Sequence, residues 1–252
     1  MKRGSLLLAL FPLFLYAEVL QLDNVDFHYR VPAHYKPNSP IMILFGGKNW
    51  PGDKTLRIYN FNSLADKHSL FLLSPSFKAS NYWKPDSGTG ELLKKAIYQL
   101  EERYKLTSKQ LYMYGYSAGG QCAALFSQWM PERITALGIH ACGVYPEEVK
   151  YSHAPILITC GTDDNERFSI SRAFIYRYRE HGGLILWKYF SGTGHKLSQE
   201  ALELARVWFD DLLSERKIIA YGEDDTGQIP KYVDIEYRNP IYSEKMKGLW
   251  LK

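Results

Sequence analysis

Two kinds of hydrophobic pattern alternate along the chain. Short runs that are apolar almost throughout, PIMILF (40–45), LFLLSP (70–75), LYMYG (111–115), ITALGIH (134–140), ILITC (156–160) and LILWKYF (184–190), are set off by glycine, proline and polar residues. Runs without polar alternation suit strands covered on both faces, so each predicts a buried strand. Longer segments near 54–67, 89–104, 118–130, 168–181 and 197–213 lie between them and predict helices. Alternation of strand and helix predicts an α/β fold, a mostly parallel sheet with right-handed crossovers and helices on both faces. An antiparallel start is expected near 19–31. After Leu213 the pattern loosens, and the aromatic content of residues 215–252 predicts an arm packed on the domain formed by 18–214.

In an open parallel sheet, ligands collect beyond the carboxyl ends of the strands, which makes the strand-to-helix junctions the places to inspect. After LYMY comes Gly115-Tyr116-Ser117-Ala118-Gly119, the G-x-S-x-G spacing in which a tight turn lifts a serine hydroxyl above the sheet. After PILITC, Gly161-Thr162-Asp163-Asp164 sets two carboxylates just past a strand; after LILWKYF, SGTGHKLS sets His195 in a glycine-rich loop. Ser117, Asp164 and His195 follow one another in the order expected of a serine triad on such a sheet. A hydroxyl needs a base to take its proton, and the base needs a carboxylate to hold its tautomer. His140 also ends a strand and competes for the role of base, while Asp163 competes with Asp164; chain order favours His195 and loop position favours Asp164. In the fourth junction, LFGGKNW, the N–H of Gly47 is a candidate oxyanion donor together with that of Ala118.

At 252 residues, 46% hydrophobic and 23% charged, the composition is that of an ordinary globular chain with one sizeable core. The net charge of +4 is not gathered into basic runs with interleaved aromatics, which argues against a nucleic-acid partner. The N-terminus, MKRGSLLLALFPLFLYAEV, has a cationic start, an apolar run and a small residue at Ala17, and so reads as a signal peptide over 1–17. Its apolar run is too short for a membrane span. A secreted or periplasmic protein with no stable membrane span is therefore expected. Cys122, Cys142 and Cys160 are too few for a disulfide scaffold, although a Cys142–Cys160 bridge is open to an exported protein. No His/Cys/Asp cluster has metal-ligand spacing, and no cofactor is implied.

With these junctions in place the chain resembles the α/β-hydrolase superfamily, and within it the small secreted polyhydroxybutyrate depolymerase-like and feruloyl esterase-like enzymes and some peptidases. The likeness covers about residues 38–213 and rests on ILFGGKNW, FNSLADKHSLFLLSPSF, LTSKQLYMYGYSAGGQCAALFSQWMPERITALGIHACG, PILITCGTDDNERF and GTGHKLSQEALELARVWFDDLL. It implies a Ser117–Asp164–His195 triad and an acyl-enzyme. Two positions depart from the pattern: Phe45 stands where many relatives have histidine before the oxyanion loop, and Ala118 stands where peptidase-type relatives often have an aromatic residue. Only about fourteen residues separate His140 from the strand at Ile156, too few for a large cap domain. The cleft should then be open and rimmed by Asn49, Trp50, Tyr82, Trp83, Tyr116 and Phe168, which suits an ester on a carbohydrate or polymeric carrier. The expected activity is that of a serine carboxylesterase; a serine peptidase of the prolyl-oligopeptidase kind and a non-catalytic envelope- or carbohydrate-binding protein on the same scaffold are the alternatives.

Overall fold

The computed structural model describes residues 17–78, 80–147, 154–224 and 226–252. The signal peptide expected over 1–17 lies, Ala17 excepted, outside the described residues. In chain order the elements are β1 (Glu18–Leu22), β2 (Val25–Arg30), β3 (Ile41–Phe45), α1 (Gly52–Tyr59), α2 (Asn62–His68), β4 (Phe71–Pro75), α3 (Thr89–Tyr104), β5 (Leu111–Tyr116), α4 (Ala118–Trp129), β6 (Ile134–His140), β7 (Ile156–Gly161), α5 (Asn165–Glu180), β8 (Ile185–Phe190), α6 (Gln199–Leu213), β9 (Ala220–Glu223), β10 (Arg238–Ile241) and α7 (Glu244–Trp250).

Eight strands form one sheet in the order β1-β2-β4-β3-β5-β6-β7-β8. β1 pairs antiparallel with β2, β2 antiparallel with β4, and every later pair is parallel. The uninterrupted apolar runs have the reason expected of them. Alternate residues point to opposite faces, and both faces are covered. Ile41, Ile43 and Phe45 of β3 and Leu111 and Met113 of β5 enter one core with α3, α4 and α5. Met42, Leu44, Tyr112 and Tyr114 enter the other, with α1, α2 and α6. The connection from β6 to β7, residues 141–155, is too short to hold an inserted cap domain.

The structure corrects one expectation and closes one alternative that the sequence left open. The segment 54–67 is two helices. α1 closes at Asn60, whose left-handed φ of 50° lets its N–H reach Leu56 O; the break turns both Tyr59 and Phe61 into the core. Asparagine tolerates that conformation, which the hydrophobic pattern alone does not reveal. The Cys142–Cys160 bridge is not formed: all three cysteines are free and buried. The Cys142 thiol donates instead to Val144 O, and burial pushes the thiols of Cys142 and Cys160 up to about 12.

The residues after α6 close the β8 edge. β9 and β10 pair antiparallel, and Asn239 Oδ1 accepts the N–H of Trp187 in β8 at 2.6 Å. Arg179 of α5, 1% exposed, donates to both carboxylate oxygens of buried Asp224 (2.6 and 3.2 Å) and to Asn239 Oδ1 (3.1 Å). Trp250 of α7 donates its indole N–H to Trp187 O.

Candidate active site

β5 meets α4 with only Ser117 between them, so the chain turns sharply there. Ser117 has φ 56° and ψ −119°. Such a conformation costs a residue with a Cβ on the order of 1–3 kcal/mol, and it persists only if the surroundings hold it. Here the N–H of Ser117 donates to His140 O at the end of β6 (2.9 Å). One residue earlier, the N–H of Tyr116 donates to the Tyr59 hydroxyl, which itself donates to Phe45 O at 2.6 Å. Burial raises the pKa of Tyr59 well above that of an ordinary phenol, so the hydroxyl remains a donor joining the ends of β3 and β5. The first turn of α4 passes directly against the loop after β3, because a Cβ on Gly119 would lie 2.1 Å from Phe45 O.

That packing sets the oxyanion-loop candidate beside the serine. Gly47 lies between two rings, such that a Cβ there would be 3.2 Å from Trp50 and 3.3 Å from Tyr116. The loop turns back through a hydrogen bond from Trp50 N to Gly47 O and a left-handed Asn49, φ 59°. Asn49 is exposed, and its N–H points at the buried Tyr82 hydroxyl (3.4 Å). Ala118 opens α4, where a first-turn N–H has no acceptor within the helix.

Ser117, His195 and Asp164 form one hydrogen-bonded row. Ser117 Oγ is 2.8 Å from His195 Nε2, and His195 Nδ1 is 2.7 Å from Asp164 Oδ2. A carboxylate only accepts, so Nδ1 carries the proton and Nε2 accepts from the serine hydroxyl. Asp164 is buried, whereas the His195 side chain is 33% exposed at the crevice. The acid and base loops are tied by main-chain hydrogen bonds from Asp163 N to Thr193 O and from Thr162 N to Phe190 O. Asp163 turns outward and accepts from Thr162 Oγ1. Of the two candidate acids, then, Asp164 is the one that meets the histidine.

His140, the competing histidine, is fully buried and has other partners. Its Nδ1 is 2.7 Å from Thr159 Oγ1 and its Nε2 is 3.0 Å from Lys196 O. Burial pushes its pKa down to about 4. The neutral ring must donate from Nε2, since a carbonyl cannot, and accept the Thr159 hydroxyl at Nδ1. Of the aromatic rim, Trp50 packs on Tyr116 (5.8 Å) and Tyr116 stacks on His195 (5.4 Å, 26°). Trp83 packs on Tyr82, and Phe168 packs on Trp187 and Tyr189. Sequence reasoning missed Tyr59 and Arg167. Arg167 donates to Asp164 Oδ1 at 3.0 Å, and its only sequence signal is the i,i+3 spacing at the start of α5.

No family model matches the chain, and no curated protein matches it. Solved structures do. A thermostable esterase superposes with TM-score 0.59 at 17% identity over 70% of this chain, which spans about half of that one (54%). LpqC, a poly(3-hydroxybutyrate) depolymerase from Bordetella parapertussis, gives 0.57 at 16% identity over 87% of this chain and 93% of that one. Poly(aspartic acid) hydrolase-1 from Sphingomonas sp. KT-1 gives 0.59 at 15% over 79% and 99%. Identities this low carry the architecture and not the chemistry. The sheet order, the serine turn after β5 and these superpositions agree that the chain has the α/β-hydrolase fold.

Proposed function

We propose that the protein is an exported serine hydrolase that cleaves carboxylic esters. The observation that carries this reading is the row Ser117 Oγ–His195 Nε2 (2.8 Å) and His195 Nδ1–Asp164 Oδ2 (2.7 Å) at the carboxyl ends of β5, β7 and β8. In the proposed reaction Ser117 Oγ attacks the ester carbonyl while its proton passes to His195 Nε2, and Asp164 stabilises the imidazolium. The amides of Gly47 and Ala118 receive the oxyanion of the tetrahedral intermediate. His195 returns the proton to the departing alcohol, and water repeats the sequence to release the acid. No step needs a metal or a cofactor.

Behind the Gly46–Gly47 loop, Phe45, Trp50, Pro75, Phe77, Tyr82 and Cys122 leave a cavity of about 10 Å³, room for about one water. That favours a short acyl group. The uncapped crevice favours an alcohol that extends outward into solvent, as on a carbohydrate or polymer.

Nitrophenyl esters of increasing acyl length test both points against wild type and Ser117→Ala. Expected are a loss of about 10⁴-fold or more in the variant and a fall in kcat/KM beyond the shortest acyl chains. Equal rates in the two proteins would remove the esterase reading. Faster cleavage of the matching amide would move it to a peptidase.

A further inference from the structure

The loop carrying His195 spans residues 191–198 between β8 and α6, outside any regular element. A catalytic base held this way depends on whatever fixes the loop, because a misplacement of about 1 Å is enough to cost a hundredfold in rate. Its first half is held by the β7 end, where Thr162 Oγ1 accepts the N–H of Gly192 and Asp163 N donates to Thr193 O; past that, two side chains hold it at consecutive carbonyls. Tyr116, the last residue of β5, has its hydroxyl 3.3 Å from His195 O and its ring stacked on the His195 imidazole. His140, the last residue of β6, has Nε2 at 3.0 Å from Lys196 O. The two rings also touch in a tilted arrangement, with centroids 5.6 Å apart and planes at 32°. In register they are direct neighbours, Tyr116 opposite His140. The result is a row of three rings in contact, His140, Tyr116 and His195, running from the ends of β5 and β6 to the crevice.

We infer that His140 and Tyr116 are positioning residues: a two-point brace that holds the main chain of the His195 loop in register with Ser117. This rests on the serine-hydrolase reading above. The chemistry of His140 fits the task. Buried and neutral, it offers one N–H in one direction, its other nitrogen being occupied by the Thr159 hydroxyl. A charged ring in its place would stand beside Tyr116, one ring away from the imidazolium that forms on His195. Tyr116 adds a contribution of its own, since the face of a phenol ring attracts a cation more than a neutral group. Its contact with His195 therefore strengthens as the proton arrives from Ser117 and favours the transition state over the ground state.

The test compares His140→Gln, whose amide N–H can still reach Lys196 O, with His140→Leu, which fills the space without a donor, and Tyr116→Phe, which keeps the ring and loses the hydroxyl. On the best nitrophenyl ester, His140→Leu is expected to lower kcat by about tenfold or more with KM unchanged, and His140→Gln to recover most of it. Tyr116→Phe should lose about threefold in kcat, the cost of one hydroxyl-to-carbonyl hydrogen bond. Amide hydrogen exchange across residues 191–198 reads the same brace without turnover: faster in His140→Leu, restored in His140→Gln. Equal kcat and equal exchange in the leucine and glutamine variants would overturn the brace. A wild-type protein inactive on every ester, but with exchange that still separates the two variants, would instead sink the esterase reading and leave the brace standing.

Discussion

His140 makes its burial measurable as a dependence of stability on pH. Its pKa falls from about 6.5 to about 4, with desolvation the main cause. The folded state therefore takes up this proton at lower pH than the unfolded chain does. Stability is complete above about 6.5 and drains away as pH falls towards 4, by about 3 kcal/mol in all. Urea unfolding of wild type and His140→Gln at pH 6.5, 5 and 4 should show the wild type losing that much more, and parallel losses would refute the assignment. At this scale much of the site was legible. Ser117, Asp164 and His195 could be named because strand ends are where this architecture collects chemistry, and glycines mark the sharp turns. Less legible were fine choices of aim and contacts distant in sequence. Asp163 and Asp164 differ only in which way a turn aims them, and Tyr59 reaches Phe45 O across a separation no local pattern records.

Among the elements, the strands were the easiest to foresee because being covered on both faces writes itself into sequence as unbroken apolar runs. The helix over 54–67 was harder. Its apolar spacing continues through the left-handed Asn60, so the pattern gave no sign of the break. Hardest was the use made of β9, β10 and α7, since strands of four residues and a helix of seven carry little periodicity. Their contribution rests on Arg179, Asp224 and Asn239, all three buried. Arg179→Met leaves the Asp224 carboxylate without its guanidinium, and breaking such a pair costs about 3–5 kcal/mol. Adding Asp224→Leu removes the orphaned charge and should restore part of that stability in the same denaturation assay. A single variant as stable as wild type would show that the pair does not hold the arm.

For the molecule as a whole, the sheet supplies a rigid floor and the site is built from loops above it, with no large cap domain among the described residues. The antiparallel edge begins at Glu18, whose carboxylate accepts from the Tyr29 hydroxyl at 2.6 Å and pairs with Arg103. β1 thus begins at the first residue after the proposed cut behind Ala17. If the protein is exported as proposed, mass spectrometry of the extracellular or periplasmic form should find Glu18 at its N-terminus; a chain there that still carries residues 1–17 would contradict processing at that bond.

The opposite edge has a consequence for how the protein is made. Arg179 lies 45 residues before Asp224 and 60 before Asn239. Because the ribosome delivers the chain from its N-terminus, α5 and β8 emerge before the carboxylate that neutralises this guanidinium and the amide that accepts from it exist. The serine, acid and base are likewise all synthesised before the sheet can be sealed. Until Asp224 and Asn239 are made, the Arg179 guanidinium and the N–H of Trp187 lack the partners that cover them in the folded protein, and an edge strand left open in this way is a template for pairing with other chains.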